Sequence, residues 1–205
     1  MKIAIIGAGN VGGALGLNFA KKGHKVILGT RDVNSEDIKN LIAANSNISA
    51  SSVADAIASA EVVLFSTPPQ VAVDIAGQNP SLKEKIVIDA TNSVFMKPAP
   101  YKPAFEGIKA VTDCEDVVKC FNSTGFENMR DPVYNGEGID MFCAGTSTKA
   151  KDVASTLAKE IGFAECYDFG GDDKVELLEQ FAFSWINLAI IQKHGRGMAF
   201  KLIKR

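Results

Sequence analysis

The sequence predicts an α/β fold, a doubly wound and mainly parallel sheet with a C-terminal helical extension. Three observations carry that expectation. The first 31 residues read as strand, glycine turn, helix and strand; short β-branched apolar runs then alternate with helically spaced ones; and from Asp172 the strands stop and a nearly all-apolar helix begins. The expected division is a sheet domain over residues 1–170 and a helical extension over residues 171–205, packed on that domain or on a partner subunit.

Lys2-Ile3-Ala4-Ile5-Ile6 is a short apolar run of the kind that forms a strand buried on both faces. Gly7, Gly9 and Gly12 follow with G-x-G-x-x-G spacing. The first suits a tight turn and the second lets the backbone approach a pyrophosphate, while the third, with Gly13 behind it, lets a helix pack close to the strand. That helix runs through Ala14, Leu15, Leu17, Phe19 and Ala20 to a stop at Gly23, so its amino end directs partial positive charge at the turn. Lys25-Val26-Ile27-Leu28 returns as the second strand. Glycine spacing alone would be a weak signal; between two strands and at a helix start it is the fingerprint of a Rossmann-type dinucleotide site. The second strand ends Leu28-Gly29-Thr30-Arg31, where a carboxylate would suit the ribose hydroxyls of NAD(H). A guanidinium, helped by the Thr30 hydroxyl, suits a 2′-phosphate and so NADP(H). Asp32 competes with that reading, because Arg31 and Asp32 also make a plausible solvated loop pair.

Asn34 or Ser35 can cap a helix carrying Ile38, Leu41, Ile42 and Ala43. Ile48-Ser49-Ala50 reads as a short strand, Ser52 to Ala60 as a brief helix, and Glu61 to Phe65 as a buried strand that delivers Ser66-Thr67-Pro68-Pro69 to the next helix. Lys85 to Asp89 is the fifth strand, followed by Ala90-Thr91-Asn92 and a proline-bearing loop from Lys97 to Pro103. A partly helical segment from Phe105 to Asp116 leads to a sixth strand, Val117 to Phe121, which delivers Asn122-Ser123-Thr124-Gly125. The polar stretch onward to Gly138 reads as a long loop or lid. Ile139 to Gly145 returns to strand, Thr146 or Ser147 caps a helix to Ile161, and Ala164 to Phe169 suits an edge strand. From Asp172 to His194 one long helix is expected, with Phe181, Phe183, Trp185, Ile186, Leu188, Ile190 and Ile191 leaving it few polar sides. Such a helix needs cover all round, and a homodimer would supply it.

Ligands of a doubly wound sheet bind beyond the carboxyl ends of its strands, near the switch point. That rule selects Gly7 to Gly12, Ser66 to Pro69, Ala90 to Ser93 and Asn122 to Gly125. Composition is ordinary for a globular protein, with 46% hydrophobic and 22% charged residues, and a formal net charge of −2 gives no general pull toward nucleic acid or an anionic membrane. No apolar run reaches the ~20 residues that span a bilayer. Glycines and Asn10 interrupt any secretory core near the start, so the expected setting is the cytoplasm. Cys114, Cys120, Cys143 and Cys166 lack metal-ligand spacing and read as buried thiols, so no metal is expected. His24 reads as a surface turn residue and His194 as a helix-end residue, and none of Tyr101, Tyr134 or Tyr167 has a lysine four positions on. No acid–base side chain is therefore assigned a catalytic role. Hydride exchange between a nicotinamide and a flavin-like ring needs none, because juxtaposition of the rings supplies most of the catalysis.

The run Met1 to Gly12, the Leu28-Gly29-Thr30-Arg31 strand end, Ser66-Thr67-Pro68 and the apolar helix running to Gly195-Arg196-Gly197 together resemble the NADPH-dependent coenzyme F420 reductase family. The same module is similar to the reductase domain of membrane ferric reductases. The resemblance implies an NADP-dependent oxidoreductase that passes hydride between NADPH and a small-molecule redox acceptor, coenzyme F420 or a flavin such as FMN or FAD. It implies that Gly9, Asn10 and Val11 hold the pyrophosphate and that Thr30 and Arg31 meet the 2′-phosphate. Ser66, Thr67 and Pro68 would then flank the ribose and nicotinamide, with Asn92 and Asn122 near the nicotinamide face. The chain departs from the family near Asn122, where its members tend to carry histidine. Two other readings are a reductase of a small imine or carbonyl, as in pyrroline-carboxylate reductases, and a non-catalytic NADPH-binding redox sensor.

Overall fold

The structure, a computed structural model, describes residues 1–205. The apolar runs form strands where their β-branched residues require it. The first half of the chain gives β1 (Lys2–Ile6), α1 (Asn10–Lys21), β2 (Lys25–Gly29), α2 (Glu36–Ala44), β3 (Ile48–Ser51), α3 (Val53–Ser59), β4 (Val62–Phe65), α4 (Pro69–Gly77) and β5 (Ile86–Asp89). Then come α5 (Ala104–Thr112), β6 (Val117–Cys120), α6 (Phe126–Arg130), β7 (Val133–Tyr134), β8 (Glu137–Gly138), β9 (Met141–Ala144), α7 (Thr148–Glu160), β10 (Cys166–Asp168) and α8 (Val175–Ile186).

Eight strands form one sheet in the order β10-β9-β6-β5-β4-β1-β2-β3, parallel throughout except where β6 meets β9. The chain winds outward from β1 through β2 to β3, then returns to β4 on the other side of β1, so the switch point lies between β1 and β4. Both faces are covered, and side chains alternate between two cores with the strand period of two. Ile3, Ile5, Val62 and Leu64 enter one core with α1 and α7, whereas Ala4, Ile6, Val63 and Phe65 enter the other with α3, α4 and α5. Each fully buried Ile or Leu contributes about 1.5–3 kcal/mol relative to exposure. Ser52 and Ser147 start α3 and α7 by accepting the amides of Asp55 and Ala150.

Three expectations change. The stretch to Gly138 is no open lid: it folds as α6 and the β7–β8 hairpin, and Asn18 Nδ2 ties α6 to α1 by donating to the carbonyls of Met129 and Arg130. The long C-terminal helix is divided into a 3-10 turn (Asp172–Lys174), α8 and a π-helical turn (Asn187–Ile191). Its apolar sides are partly covered by the chain's own tail, since Trp185 Nε1 donates to the Met198 carbonyl at 2.7 Å and the Phe181 and Phe200 rings lie 4.5 Å apart. Finally, His24 is no surface turn residue but is 7% exposed, its ring bonded to the terminal amine of Met1 and to Glu160. His194 is exposed beyond the π turn. No helix is long and apolar enough to cross a membrane.

Candidate functional site

Strands β6, β5, β4 and β1 are neighbours, and the loops at their carboxyl ends are the four selected from the sequence. Gly7 turns with φ +102°, and a Cβ there would meet Thr67 Cγ2 at 2.8 Å. A Cβ on Gly12 would lie 2.0 Å from the Gly7 carbonyl oxygen, so this glycine is required by packing of α1 against the turn. At Gly9 a Cβ would meet nothing within 4 Å, so the protein itself leaves this position open. Gly9 caps α1 without any side-chain hydrogen bond, and the first turn carries no acidic residue. The helix start, with Asn10 and Val11 as its first residues, thus offers amides and positive potential to an anion lying over Gly9.

From this turn a cleft of about 650 Å³ runs between the ends of β1, β2 and β4. Thr30 and Arg31 stand on one side and Thr67 and Pro68 on the other. Arg31 is exposed, while the Asp32 carboxylate accepts the Asn34 amide at 2.9 Å, and the Thr30 hydroxyl oxygen accepts the Asp32 amide at 3.2 Å. Asp32 is thereby engaged in its own turn, and the guanidinium is the group presented at the strand end. Val53, Ala54, Val71, Ile75, Gln78 and Asn79 complete the cleft. The sequence reading did not include these residues, because they come from α3 and from α4 and its C-terminal end and carry no local motif.

Beyond the switch point, the Ser66 hydroxyl donates to the Gly7 carbonyl at 2.7 Å, pinning the β1 and β4 loops together. Asn92 and Asn122 bond to one another: Asn92 Nδ2 donates to the Asn122 carbonyl, and Asn122 Nδ2 donates to Asn92 Oδ1. Three buried side-chain polar atoms have no partner, Thr67 Oγ1, Thr91 Oγ1 and Asn122 Oδ1, and all three belong to these loops. Orphans of this kind cost about 1–3 kcal/mol each unless something else bonds them. Their clustering here fits a polar ligand laid across the strand ends. Thr91, 3% exposed, was not singled out from the sequence.

A buried charge network was also missed. The Lys119 ammonium, wholly buried, lies 3.0 Å from Asp89 Oδ2 and 2.6 Å from Glu179 Oε1. Burial depresses its proton affinity, but attraction and hydrogen bonds from the two carboxylates outweigh this and hold it above the usual lysine range. The remaining oxygens serve the adjoining loop: Asp89 Oδ1 accepts the Thr91 amide at 2.9 Å and Glu179 Oε2 accepts the Ser93 amide at 3.1 Å. A lysine inside the otherwise apolar Val117-Val118-Lys119-Cys120 strand was the available signal, because a charge in such a run needs a buried partner.

Comparison with known proteins gives the family of the chain. Residues 2–93 match the family model described as NADP oxidoreductase, coenzyme F420-dependent. The chain is 30% identical over 211 residues to the F420-dependent NADP reductase of Methanothermobacter thermautotrophicus, covering 93% of this chain and 90% of that protein. It superposes on a crystal structure from Arthrobacter sp. FB24, described as a candidate F420-dependent NADP reductase, with a TM-score of 0.84, 26% identity and full coverage of both chains (100% each). A reductive aminase from Aspergillus terreus, solved with NADPH and ethyl-5-oxohexanoate, shares the fold alone: TM-score 0.69 and 17% identity, over 94% of this chain and 63% of that one.

Proposed function

The chain belongs to the F420-dependent NADP reductase family, and from that premise we propose that this NADP-dependent oxidoreductase exchanges hydride between NADP(H) and coenzyme F420 across the ends of β1, β4, β5 and β6. The observation that carries the reading is the orphan set Thr67 Oγ1, Thr91 Oγ1 and Asn122 Oδ1, in the loops that follow β4, β5 and β6 beside the glycine turn after β1, where Gly9 is open. In this account the amides at Gly9, Asn10 and Val11 hold the pyrophosphate, Gly7 and Gly12 shape the turn, and Thr30 and Arg31 engage the 2′-phosphate. The cleft lined by Val53, Ala54, Val71, Gln78 and Asn79 takes the adenine. Ser66, Thr67 and Pro68 border the ribose and nicotinamide, and Asn92 and Asn122 offer amide groups beside the nicotinamide. The bound cofactor supplies a hydride donor; the chain supplies alignment, charge neutralisation at the phosphates and exclusion of water.

Residues 171–205 act in this reading as an appendage that walls the acceptor side. Phe95 is 73% exposed and Met96 63%, and the Phe95 ring stands 5.6 Å from that of Phe183. Ile190 and Ile191, in the π turn, are also about half exposed, and these exposed apolar side chains support the proposal of a homodimer. Cys114, Cys120 and Cys143 are buried free thiols, as expected, whereas Cys166, on the edge strand β10, is only partly buried; four cysteines without a disulfide suit a reducing, cytoplasmic setting.

Mixing the purified protein with NADPH and, separately, coenzyme F420, FMN, FAD or no acceptor tests the proposal, read as loss of the reduced-nicotinamide absorbance. Turnover with coenzyme F420 well above the flavins is expected. Turnover with a flavin alone would reassign the acceptor, and tight NADPH binding without any turnover would contradict hydride transfer to this class of ring.

A further inference from the structure

We infer that the Asp89–Lys119–Glu179 network is a positioning device that fixes the Thr91-Asn92-Ser93 segment, and through it the Asn92–Asn122 pair, for hydride transfer. This rests on the reading of Asn92 and Asn122 given above. A buried network of three charges is a poor way to gain stability, since each ion costs several kcal/mol to desolvate and apolar residues of similar size commonly do as well. What it does that an apolar core cannot is hold backbone amides. Each carboxylate gives one oxygen to Lys119 and the other to an amide of the same short segment, Asp89 to Thr91 and Glu179 to Ser93. Lys119 therefore ties together the two ends of a clamp whose middle residue is Asn92. The Ser93 hydroxyl extends the clamp by accepting the Ala104 amide at the start of α5.

The three residues come from β5, β6 and α8, so the clamp also joins the C-terminal helix to the strand ends that carry the site. None of the three acids and bases faces open solvent: Asp89 and Lys119 are 0% exposed and Glu179 is 5% exposed. They act on the site through the loop and do not touch a substrate.

Glu179→Gln is the primary variant. It leaves Lys119 paired with Asp89 but leaves only one side-chain oxygen to serve both the Lys119 ammonium and the Ser93 amide. The inference expects NADPH affinity within about twofold of the parent and kcat with coenzyme F420 reduced about tenfold or more. It also expects amide hydrogen exchange to quicken at residues 91–93 while protection in β1 and α1 is kept. A purely structural role would raise exchange throughout the sheet and leave kcat per folded molecule unchanged, and that result overturns the inference. Asp89→Asn is the parallel variant, keeping the Lys119–Glu179 pair. If neither variant folds, the network belongs to stability and the inference falls. Asn122→Ala separates this inference from the reading beneath it. Loss of kcat in Asn122→Ala but not in Glu179→Gln removes the positioning role alone; if both variants keep kcat, the site reading fails and takes the inference with it.

Discussion

Asn92 and Asn122 hold each other across the ends of β5 and β6, through Nδ2 to carbonyl at 2.9 Å in one direction and Nδ2 to Oδ1 at 3.2 Å in the other. The exchange uses both amides yet leaves Asn122 Oδ1 buried without a donor. A ligand amide that donates to this oxygen removes the cost of the orphan, about 1–3 kcal/mol. Asn122→Ala is therefore expected to lower kcat about tenfold or more while changing NADPH affinity far less, since most binding contacts lie at the phosphates. Steady-state kinetics alongside direct NADPH titration makes the distinction.

Arg31 should set cofactor choice. A charge-assisted bond to a phosphate contributes about 1.5–3 kcal/mol, so Arg31→Ala should weaken NADPH about tenfold to a hundredfold and NADH hardly at all. Equal losses for both cofactors would contradict a 2′-phosphate contact, and no loss for either would show that Arg31 is only a solvated loop residue.

Two glycines of the turn should fail in different ways. Gly12→Ala places a methyl 2.0 Å from the Gly7 carbonyl oxygen, backbone that cannot yield without moving α1. The expected cost is about 1–3 kcal/mol or more, visible as a fall in Tm. Gly9→Ala meets no protein atom within 4 Å, so its Tm should stay near the parent's while NADPH binding is lost. Normal binding in Gly9→Ala would place the pyrophosphate elsewhere.

The contrast explains how much could be read from sequence. The β1–α1–β2 unit was legible because glycines, apolar runs and a helix stop lie within consecutive residues, and the alternation of Ile3, Ala4, Ile5 and Ile6 between two cores follows directly from strand geometry. The four loops were legible because the rule for parallel sheets needs only strand order. What joins distant elements was not. Asp89, Lys119 and Glu179 are drawn from three separate elements, and only the odd lysine in an apolar strand hinted at them. Gln78 and Asn79 line the cleft because of where α4 ends, which no spacing rule states. The stretch after Gly125 looked like loop because its short helix and two-residue strands are stabilised by contacts such as Asn18 with Met129, remote in sequence.

The tail should respond to acid. Arg196 donates to both carboxylate oxygens of Glu127, at 2.6 and 3.0 Å, and its guanidinium lies 5.5 Å from the Trp185 ring. Hydrogen bonding from Arg196 holds the Glu127 carboxyl below its usual range. A depressed carboxyl contributes stability that is present above its unfolded pKa and lost as pH falls through the folded one. Trp185 is the only tryptophan, so its fluorescence should report a tail transition centred below about pH 4.3, the ordinary glutamate value. Both partners are partly exposed, so the effect should be small and salt-sensitive. Glu127→Gln should abolish this transition; its persistence would assign it to another group.

The most direct test of the central claim follows the transferred atom. A deazaflavin carries carbon where a flavin carries the hydride-accepting nitrogen, so a hydride delivered there does not wash out into water. NADPH deuterated at nicotinamide C4, in each stereoisomer, is incubated with the protein and oxidised coenzyme F420 in ordinary water, and the product is examined by mass spectrometry. The account predicts deuterium in the reduced deazaflavin from one stereoisomer of NADPH and not from the other. Reduced deazaflavin without label from either, or NADPH bound and never oxidised, would contradict direct hydride transfer across the Asn92–Asn122 pair.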